Sequence, residues 1–513
     1  MRFNTIKKIS KWTVLTLLFT TAMTVFYGYT EVNRLWGAYT TKVNPSDYET
    51  AQTDVVITHV NLLSEDATNM IPNQSVVIHQ GSITAVGSDI SIPTGYQVID
   101  GTGQYLIPGL IDSHVHLWQS PNDLLLYLAN GITHIKEMNG SEEHLQWKQE
   151  IEQGRPGPDM FVASRRHNSN DFIKGWFDRL TAKINPVNDM ADIEDDLLAL
   201  KAQGFDAIKV YTFLKKKHFM AFNETAKKHD IKLLGHTPIS MTLDEVWGTE
   251  LRELGHVEEI VKALIREFAG YDYSNANEFL AHVASRKKDI ISNLLKHDIT
   301  VQTTLTIMEG LAPIRADVDQ VLQQVELEYV NPGITESTHP SIPVLGWLPK
   351  VNIYRLPDDI VDDMSEEQKA DDQIYWKTYA EANRMLIRAF AQNNVKLLAA
   401  TDANVPARVP GFSLHEELVA LNKAGLSNAA VLKTATTNPA QAMGIKTGKI
   451  KAGYQADMLL LNDNPLQDIK HTQNIKTVIN NGRIYDRDTL NRILTAVKAA
   501  NDESRTEDIS HYH

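Results

Sequence analysis

The 513-residue chain contains no cysteine. That absence removes disulfides, thiolate nucleophiles and every zinc or iron–sulfur site built on sulfur. Soft-metal chemistry must then rest on the 18 histidines working with carboxylates. Positive charge is the scarcer sign, with 50 Lys and Arg against 64 Asp and Glu and a formal balance of −14. Such a balance argues against a nucleic-acid partner, which needs a basic face to neutralise phosphates. Several catalytic signatures are missing as well. His415-Glu416-Glu417-Leu418-Val419 begins like H-E-x-x-H, but Val419 stands where the second ligand is required. Gly444 to Lys449 lacks P-loop spacing, and no G-x-S-x-G elbow supports a serine hydrolase. There is no solenoid-type repeat.

What is present is an ordinary folded composition, 42% hydrophobic and 22% charged, which excludes wholesale disorder. The length exceeds one ordinary core and suits a large α/β barrel with a smaller attached domain. Arg2, Lys7, Lys8 and Lys11 precede an uncharged run from Trp12 to Tyr29, and the first acid is Glu31. At helical rise that run spans roughly 27 Å, close to a bilayer core of about 30 Å. Basic residues before it leave the N-terminus inside and carry the rest of the chain across the membrane. A membrane anchor is favoured. A cleaved signal peptide is the competing reading, although no clean A-x-A site follows the run. The catalytic body is then expected outside the cytoplasm, in the periplasm of a bacterium, or secreted if the segment is cleaved.

Residues 1–52 comprise this segment (12–29) and a polar, proline-containing linker. β-type runs follow at Val55–Leu62, Gln74–Ile78, Ser82–Val86 and Tyr96–Asp100, separated by Asn, Gly and Pro turns. Matching runs return at Ala456–Leu461, Thr477–Ile479 and Arg483–Tyr485, the last two joined by an Asn480-Asn481-Gly482 turn. A small β-sandwich built from 53–106 and 445–490 is expected. Between these parts, over 107–444, apolar strands such as Ala207–Tyr211, Lys232–His236, Thr300–Leu305 and Lys396–Ala400 alternate with helical patterns. Alternation of that kind and length predicts a (β/α)8 TIM-type barrel. A proline-rich stretch over about 310–365 interrupts it, as a loop over the barrel mouth or a small subdomain. Residues 491–513 read as a C-terminal helix and a polar, frayed tail.

The chemistry starts at Pro108-Gly109-Leu110-Ile111-Asp112-Ser113-His114-Val115-His116. Two histidines at i and i+2 on a strand point to one face and can reach one cation. His236 ends Lys232-Leu233-Leu234-Gly235-His236, His256 follows Glu253-Leu254-Gly255, and Asp402 ends Leu397-Leu398-Ala399-Ala400-Thr401-Asp402. Each alone is an ordinary structural residue; together, at successive strand ends, they converge on the C-terminal mouth of a barrel. Lys209 alternates with Ile208 and Val210 and points inward if those two pack under the helices. A buried ammonium shifts towards neutrality, and a neutral amine reacts with carbon dioxide to give a carbamate.

Taken together, these residues resemble the amidohydrolase superfamily over nearly the whole chain after the anchor. Pro108 to His116 looks like its first-strand motif, and Ile208-Lys209-Val210-Tyr211 like the fourth-strand segment of members with a carboxylated lysine. Gly235-His236, Gly255-His256 and Thr401-Asp402-Ala403 look like the fifth, sixth and eighth strand ends. Ala435-Thr436-Thr437-Asn438-Pro439-Ala440 and Gly448 to Asp457 are similar to its late motifs. The imidazolonepropionase-like and Xaa-Pro dipeptidase-like branch is the nearest, and Lys209 tilts the choice to the two-metal, dipeptidase-like members. The resemblance implies one metal on His114, His116 and Asp402, a second on His236 and His256, and carboxylated Lys209 between them. Zinc is the default for such donors, with manganese, cobalt or iron as alternatives. It further implies amide hydrolysis by a metal-bridging hydroxide, with Asp402 moving the proton and Tyr211 facing the oxyanion or a substrate carboxylate. Arg165, Arg166 and His167, and separately Arg408, are candidate contacts to a substrate carboxylate. The Arg165-Arg166-His167-Asn168 stretch departs from the Gly-Gly-His type of related enzymes, which sets Xaa-Pro specificity in question. A dipeptide, Xaa-Pro dipeptide or N-acyl amino acid is the expected substrate. Cyclic amide or lactone hydrolysis is the alternative, and a membrane-tethered small-ligand binding protein is the reading outside catalysis. An oligomer is compatible with all three.

Overall fold

Residues 2–336 and 346–512 are described by the structure, a computed structural model; 337–345, inside the expected insertion, lie outside the described residues. The chain opens with one long helix, α1 (Arg2–Leu35). Its stretch Lys11–Leu35 is long and apolar enough to cross a bilayer. Residues 11–29 are exposed throughout, unlike a core helix, which buries its apolar stretch in the body. The end of α1 behaves differently. Val32, Leu35 and Trp36 are buried with Trp118 and Ile334, and the Trp36 indole N–H donates to the Thr181 carbonyl at 3.1 Å. The segment expected as a free linker is also fastened down. Thr40 donates to Asn331 Oδ1 at 2.6 Å, and Tyr48 is buried. Polar composition read as linker here because the partners lie far along the chain.

Both ends of the chain build one eight-stranded sheet. Val55–Leu63, Met70–His79, Ser82–Gly87, Gln97–Asp100 and Tyr105–Pro108 come from the first part. Met458–Leu461, Ile475–Asn480 and Arg483–Asp486 come from the second. Met458–Leu461 pairs antiparallel with Tyr105–Pro108, stitching the two together. The expected sandwich is therefore a single sheet wrapped about its own core. Val55–Leu63 makes this possible, because it is bulged near His59 (φ +57) and pairs on one side with Met70–His79 and on the other with two further strands. The Asn481-Gly482 turn takes φ of +53 and +72, the two-residue hairpin geometry its sequence predicts.

Between these parts lie the parallel strands that position the site: β1 (Leu110–Val115), β2 (Ile132–Glu137), β3 (Asp159–Val162), β4 (Ile208–Val210), β5 (Leu233–Gly235), β6 (Leu251–Leu254), β7 (Thr300–Gln302) and β8 (Leu397–Leu398). β1, β2 and β3 form one parallel sheet, and β4 to β8 belong to a second. Parallel bridges Ala163–Ala207 and Val115–Ala403 join the two sheets at both edges. β1 and β2 are buried at every residue, as parallel strands covered on both faces must be. Three helices matter below: α2 (Phe172–Thr181), α3 (Val257–Phe268) and α4 (Glu366–Gln392). The Ser365 side chain accepts from the Gln368 N–H and caps α4.

The described parts of the stretch 310–365, residues 310–336 and 346–365, break the alternation as a packed unit. Ile314, Leu322, Val330 and Trp347 share a core with Val409 and Tyr512. The C-terminal tail, expected to fray, is docked onto it. The Thr506 N–H and hydroxyl both donate to Glu336 Oε2, at 2.9 and 2.6 Å, and the Tyr512 hydroxyl donates to Asp319 at 2.8 Å. A polar tail whose groups are satisfied by a buried carboxylate has no reason to fray.

Trp347 is fully buried at the centre of this core. Trp347→Ala is expected to destabilise the chain by about 3–5 kcal/mol in a denaturant titration. A loss below about 1 kcal/mol would mean the insertion is not integral to the body.

Candidate active site

Six side chains singled out in the sequence meet at the C-terminal ends of the parallel strands and line one cavity of about 620 Å³. His114 lies in β1 and His116 just beyond it, Lys209 is the middle residue of β4, and His236, His256 and Asp402 follow β5, β6 and β8. The backbone is shaped to turn them inward. Gly235 sits at φ +123, and a Cβ there would overlap the Val210 carbonyl oxygen. Trp118, Thr304 and Asp402 hold φ of +49, +44 and +53, a region that non-glycine residues rarely take. Strain gathered at three strand ends around one cavity is the pattern of a functional site.

The donors are close. Asp402 Oδ1 lies 3.0 Å from His116 Nε2 and 3.3 Å from His114 Nε2, and Lys209 Nζ lies 3.2 Å from His114 Nε2. The His256 ring stacks on His114 at 4.7 Å and meets His236 edge-on at 5.0 Å. On three histidines the other nitrogen is already committed. Nδ1 of His114 lies 2.6 Å from Gln302 Oε1, that of His236 lies 2.9 Å from Thr212 Oγ1, and that of His256 lies 2.9 Å from Thr304 Oγ1. Their Nε2 atoms remain for the cavity.

Burial sets the charge states. Desolvation lowers His256 to about 4 and pushes His114 and His236 well down, so the imidazoles stay neutral, the form that binds metal. The same desolvation brings the Lys209 ammonium down to about 7, against the opposing pull of Asp402. Asp402 Oδ1 is buried beside the Nε2 atoms of His114 and His116, and a carboxylate oxygen set against imidazole nitrogens at these distances suits a shared cation. Ligand atoms of His114, His256 and Asp402 lie within 4.8 Å of one another. Neutral imidazoles with a carboxylate fit a divalent cation.

The remaining candidates separate. Tyr211 lines the cavity, its ring 4.2 Å from that of His236, and its oxygen accepts from Arg166 Nη1 at 3.3 Å. Arg166 thus stands behind Tyr211. His167 is buried beneath β4, its Nδ1 3.0 Å from the Lys209 carbonyl. Arg165 lines a separate cavity of about 580 Å³ bounded by Asn33 of α1 and Trp36 just after it. Arg408 is buried in an ion pair with Glu416 at 2.9 Å. As direct carboxylate clamps in this cavity, Arg165, Arg166, His167 and Arg408 are therefore displaced. The first faces elsewhere, the next two sit behind other groups, and the last already has its anion.

Other residues serve the site without a sequence signal. Gln302 donates to Glu253 Oε1 at 2.6 Å, and Lys136 Nζ reaches both Glu253 oxygens at 2.7 Å, so a buried polar chain stands behind His114. Glu259 on α3 lies 3.2 Å from His236 Nδ1. Tyr354 from the insertion, Tyr375 and Trp376 from α4, and Met308 and Leu311 complete the wall.

Residues 347–485 match the model of the Amidohydrolase family. That stretch is an Amidohydrolase-family domain, and the imidazolonepropionase of Staphylococcus aureus is 23% identical over 77% of this chain and 84% of that protein. Over 456 residues it is 21% identical to the 5′-deoxyadenosine deaminase of Methanosphaera stadtmanae, covering 85% of this chain and 94% of that protein. Bottromycin amidohydrolase superposes with a TM-score of 0.66 at 21% identity, covering 92% of this chain and 96% of its own. A Xaa-Pro dipeptidase solved with bound methionine gives 0.57 at 16% identity, over 85% and 100% of the two chains. At these identities the structures speak for the amidohydrolase fold.

Gln302→Leu removes the acceptor that orients His114. Cation affinity in a chelator competition is expected to fall roughly 10–100-fold. Unchanged affinity would show that Gln302 does not set the ligand geometry.

Proposed function

We propose that the chain is a membrane-anchored, metal-dependent amidohydrolase that cleaves the amide of N-acyl amino acids with apolar acyl groups. One observation carries this reading: six cation-type donors occupy one end of a cavity whose other wall is aromatic and aliphatic. The frame is read as a (β/α)8 barrel, supported by the two bridges that join the parallel sheets. His114, His116 and Asp402 would hold one divalent cation, zinc by the donor chemistry, and His236 and His256 a second. Lys209, carboxylated by carbon dioxide, would lie between them; its burial favours the neutral amine that this reaction requires. Bound there, such cations supply Lewis acidity for the scissile carbonyl and acidify water.

The chain's own groups do the rest. Asp402 accepts the proton from attacking water and returns it to the leaving amine nitrogen. Tyr211 accepts a hydrogen bond from Arg166, which leaves its own O–H to donate to the developing oxyanion. Met308, Leu311, Tyr375 and Trp376 exclude water and seat the acyl chain. Arg266, one turn along α3 from Lys262, lines the cavity and has no ion pair among the described residues. It takes the role of carboxylate clamp expected of Arg165, Arg166, His167 and Arg408. Lys262 cannot, because Glu258 and Glu259 hold it at 2.8 and 3.2 Å. The anchor reading is supported by the exposed apolar length of α1 and by its buried end, and it puts the body outside the cytoplasm by the basic residues that precede the span.

Dialysis against a chelator should abolish activity, and Lys209→Ala should bind fewer metals per chain by elemental analysis. Two metals bound normally in that variant would sink the carboxylated-lysine bridge. Among dipeptides, Xaa-Pro dipeptides, N-acyl amino acids, lactones and cyclic amides, the N-acyl amino acids should be turned over fastest. Turnover confined to lactones would overturn the amidase reading. Arg266→Ala should raise KM for them about tenfold or more with kcat little changed. Peptide mapping of the membrane fraction should recover residues 12–29; a mature chain starting after residue 22 would mean a cleaved signal.

A further inference from the structure

Resting on the anchor reading, we propose that the strand-end face of the molecule, where the cavity opens, lies against an anionic phospholipid bilayer. α2 is seated in the interfacial layer, and amphipathic amides enter the site from the membrane surface. The placement of α1 comes first. Its buried end packs on Trp118, two residues past His116, and Trp36 is bonded to Thr181, the last residue of α2. The span therefore meets the body on the same face as the cavity, beside α2.

That face is apolar where it should be polar. Trp176 is 59% exposed on α2, and Phe177 and Leu180 on the same helix are exposed too. Trp, Phe and Leu on one helix, with Arg179 alongside and Lys174 paired to Asp178, is the make-up of a helix that lies in a membrane interface. The apolar surface continues to the cavity rim. The Ser169 N–H, just before α2, donates to the Phe213 carbonyl at 3.2 Å, and the Ile239 N–H donates to the Thr212 carbonyl at 2.9 Å. Phe213 is 60% exposed, Ile239 is exposed, and both line the active cavity. Large apolar side chains left in water together mark an interaction surface.

Charge selects the partner. In a chain of net charge −14, Lys215, Lys216 and Lys217 directly follow this rim and are exposed. The Lys215 N–H donates to Ser169 Oγ at 2.8 Å, which holds the run against the start of α2. Lys216 pairs with Glu245, while Lys215 and Lys217 have no ion pair among the described residues. Free lysines beside exposed aromatics suit the anionic headgroups of a bilayer, and the span already brings a bilayer to this face. An N-acyl amino acid held there by its acyl chain would reach the donors along the path from Phe213 and Ile239 to Met308 and Trp376.

The absence of cysteine makes the test direct, since one introduced thiol labels one place. The full chain, reconstituted in nanodiscs of phosphatidylcholine and phosphatidylglycerol, is spin-labelled singly at Phe19→Cys, Phe177→Cys, Phe213→Cys or Leu295→Cys. Leu295 is exposed just before β7, on the opposite end of the strands. Labels at 177 and 213 should favour oxygen over a nickel chelate, as the label at 19 in the span does, while 295 favours the chelate. Positions 177 and 213 behaving like 295, with 19 in lipid, would overturn the proposal and leave the anchor standing. Position 19 also behaving like 295 would remove both. In the same discs, Lys215→Glu with Lys217→Glu should raise KM for a long-chain N-acyl amino acid roughly tenfold or more. KM for a short-chain, water-soluble homologue should stay the same; an equal change for both substrates would count against membrane delivery.

Discussion

The site depends on keeping three imidazoles neutral and aimed in a place where nothing else would hold them. Burial alone would do the first and not the second. Direction comes from the partners of Nδ1: Gln302 for His114, Thr212 for His236 and Thr304 for His256. Thr212 and Thr304 each follow the strand next to that of their histidine, and Gln302 ends β7, so the register of the parallel strands becomes the geometry of the donors. Gln302 is in turn held by Glu253, and Glu253 by Lys136. A carboxylate and an ammonium buried together are costly to bring in, and more costly to separate once there. The chain from Lys136 to His114 is thus fully satisfied, and a rearrangement at any link leaves a buried charge unpaired.

Much of this was legible before any coordinates. His114-Val115-His116, the two Gly-His pairs and Thr401-Asp402 stand out because a strand with period two and a following turn limit where a side chain can point. Lys209 stood out because an ammonium inside an apolar alternation demands a reason. Gln302, Glu253 and Thr304 were not legible. Each is a single polar residue at a strand end, and its meaning lies wholly in a partner on another strand. The arginines failed for a related reason. Charge near an expected cavity suggests a clamp, yet Arg408 already has Glu416 and Arg166 already has Tyr211. Arg266 carried no motif, and only the turn of α3 brings it to the wall.

The fold shows the same division. Hairpin chemistry at Asn481-Gly482 and the alternation of strands with helices are local signals, and they were readable. The linker and the tail are polar and yet held, because polarity in a sequence does not show which buried partner will satisfy it. Thr40 is held by Asn331, and Thr506 by Glu336; both partners belong to the interrupting segment. That segment therefore binds the start of the chain, the end of the chain and the cavity wall through Tyr354. Its proline content marks a break in the alternation of strands and helices, and its buried tryptophan turns the break into a clasp.

If α1 spans a bilayer, as proposed, the clasp decides how the body would sit against it. A span joined by a slack linker would let the body tumble, and no face would be privileged. Here the last turn of α1 is buried and Trp36 is bonded to Thr181, so the orientation of the span is passed to the body over a few ångströms. The helix that receives the bond, α2, is the one that exposes Trp176, Phe177 and Leu180. Apolar side chains on a rigidly oriented face near a bilayer lose contact with water at little further entropic cost, because ordering the body has already been done by the anchor. Under the proposed anchoring, the effective concentration of that face at the lipid surface would be set by geometry, and modest contacts such as one aromatic helix and two free lysines would suffice to hold the cavity towards the membrane.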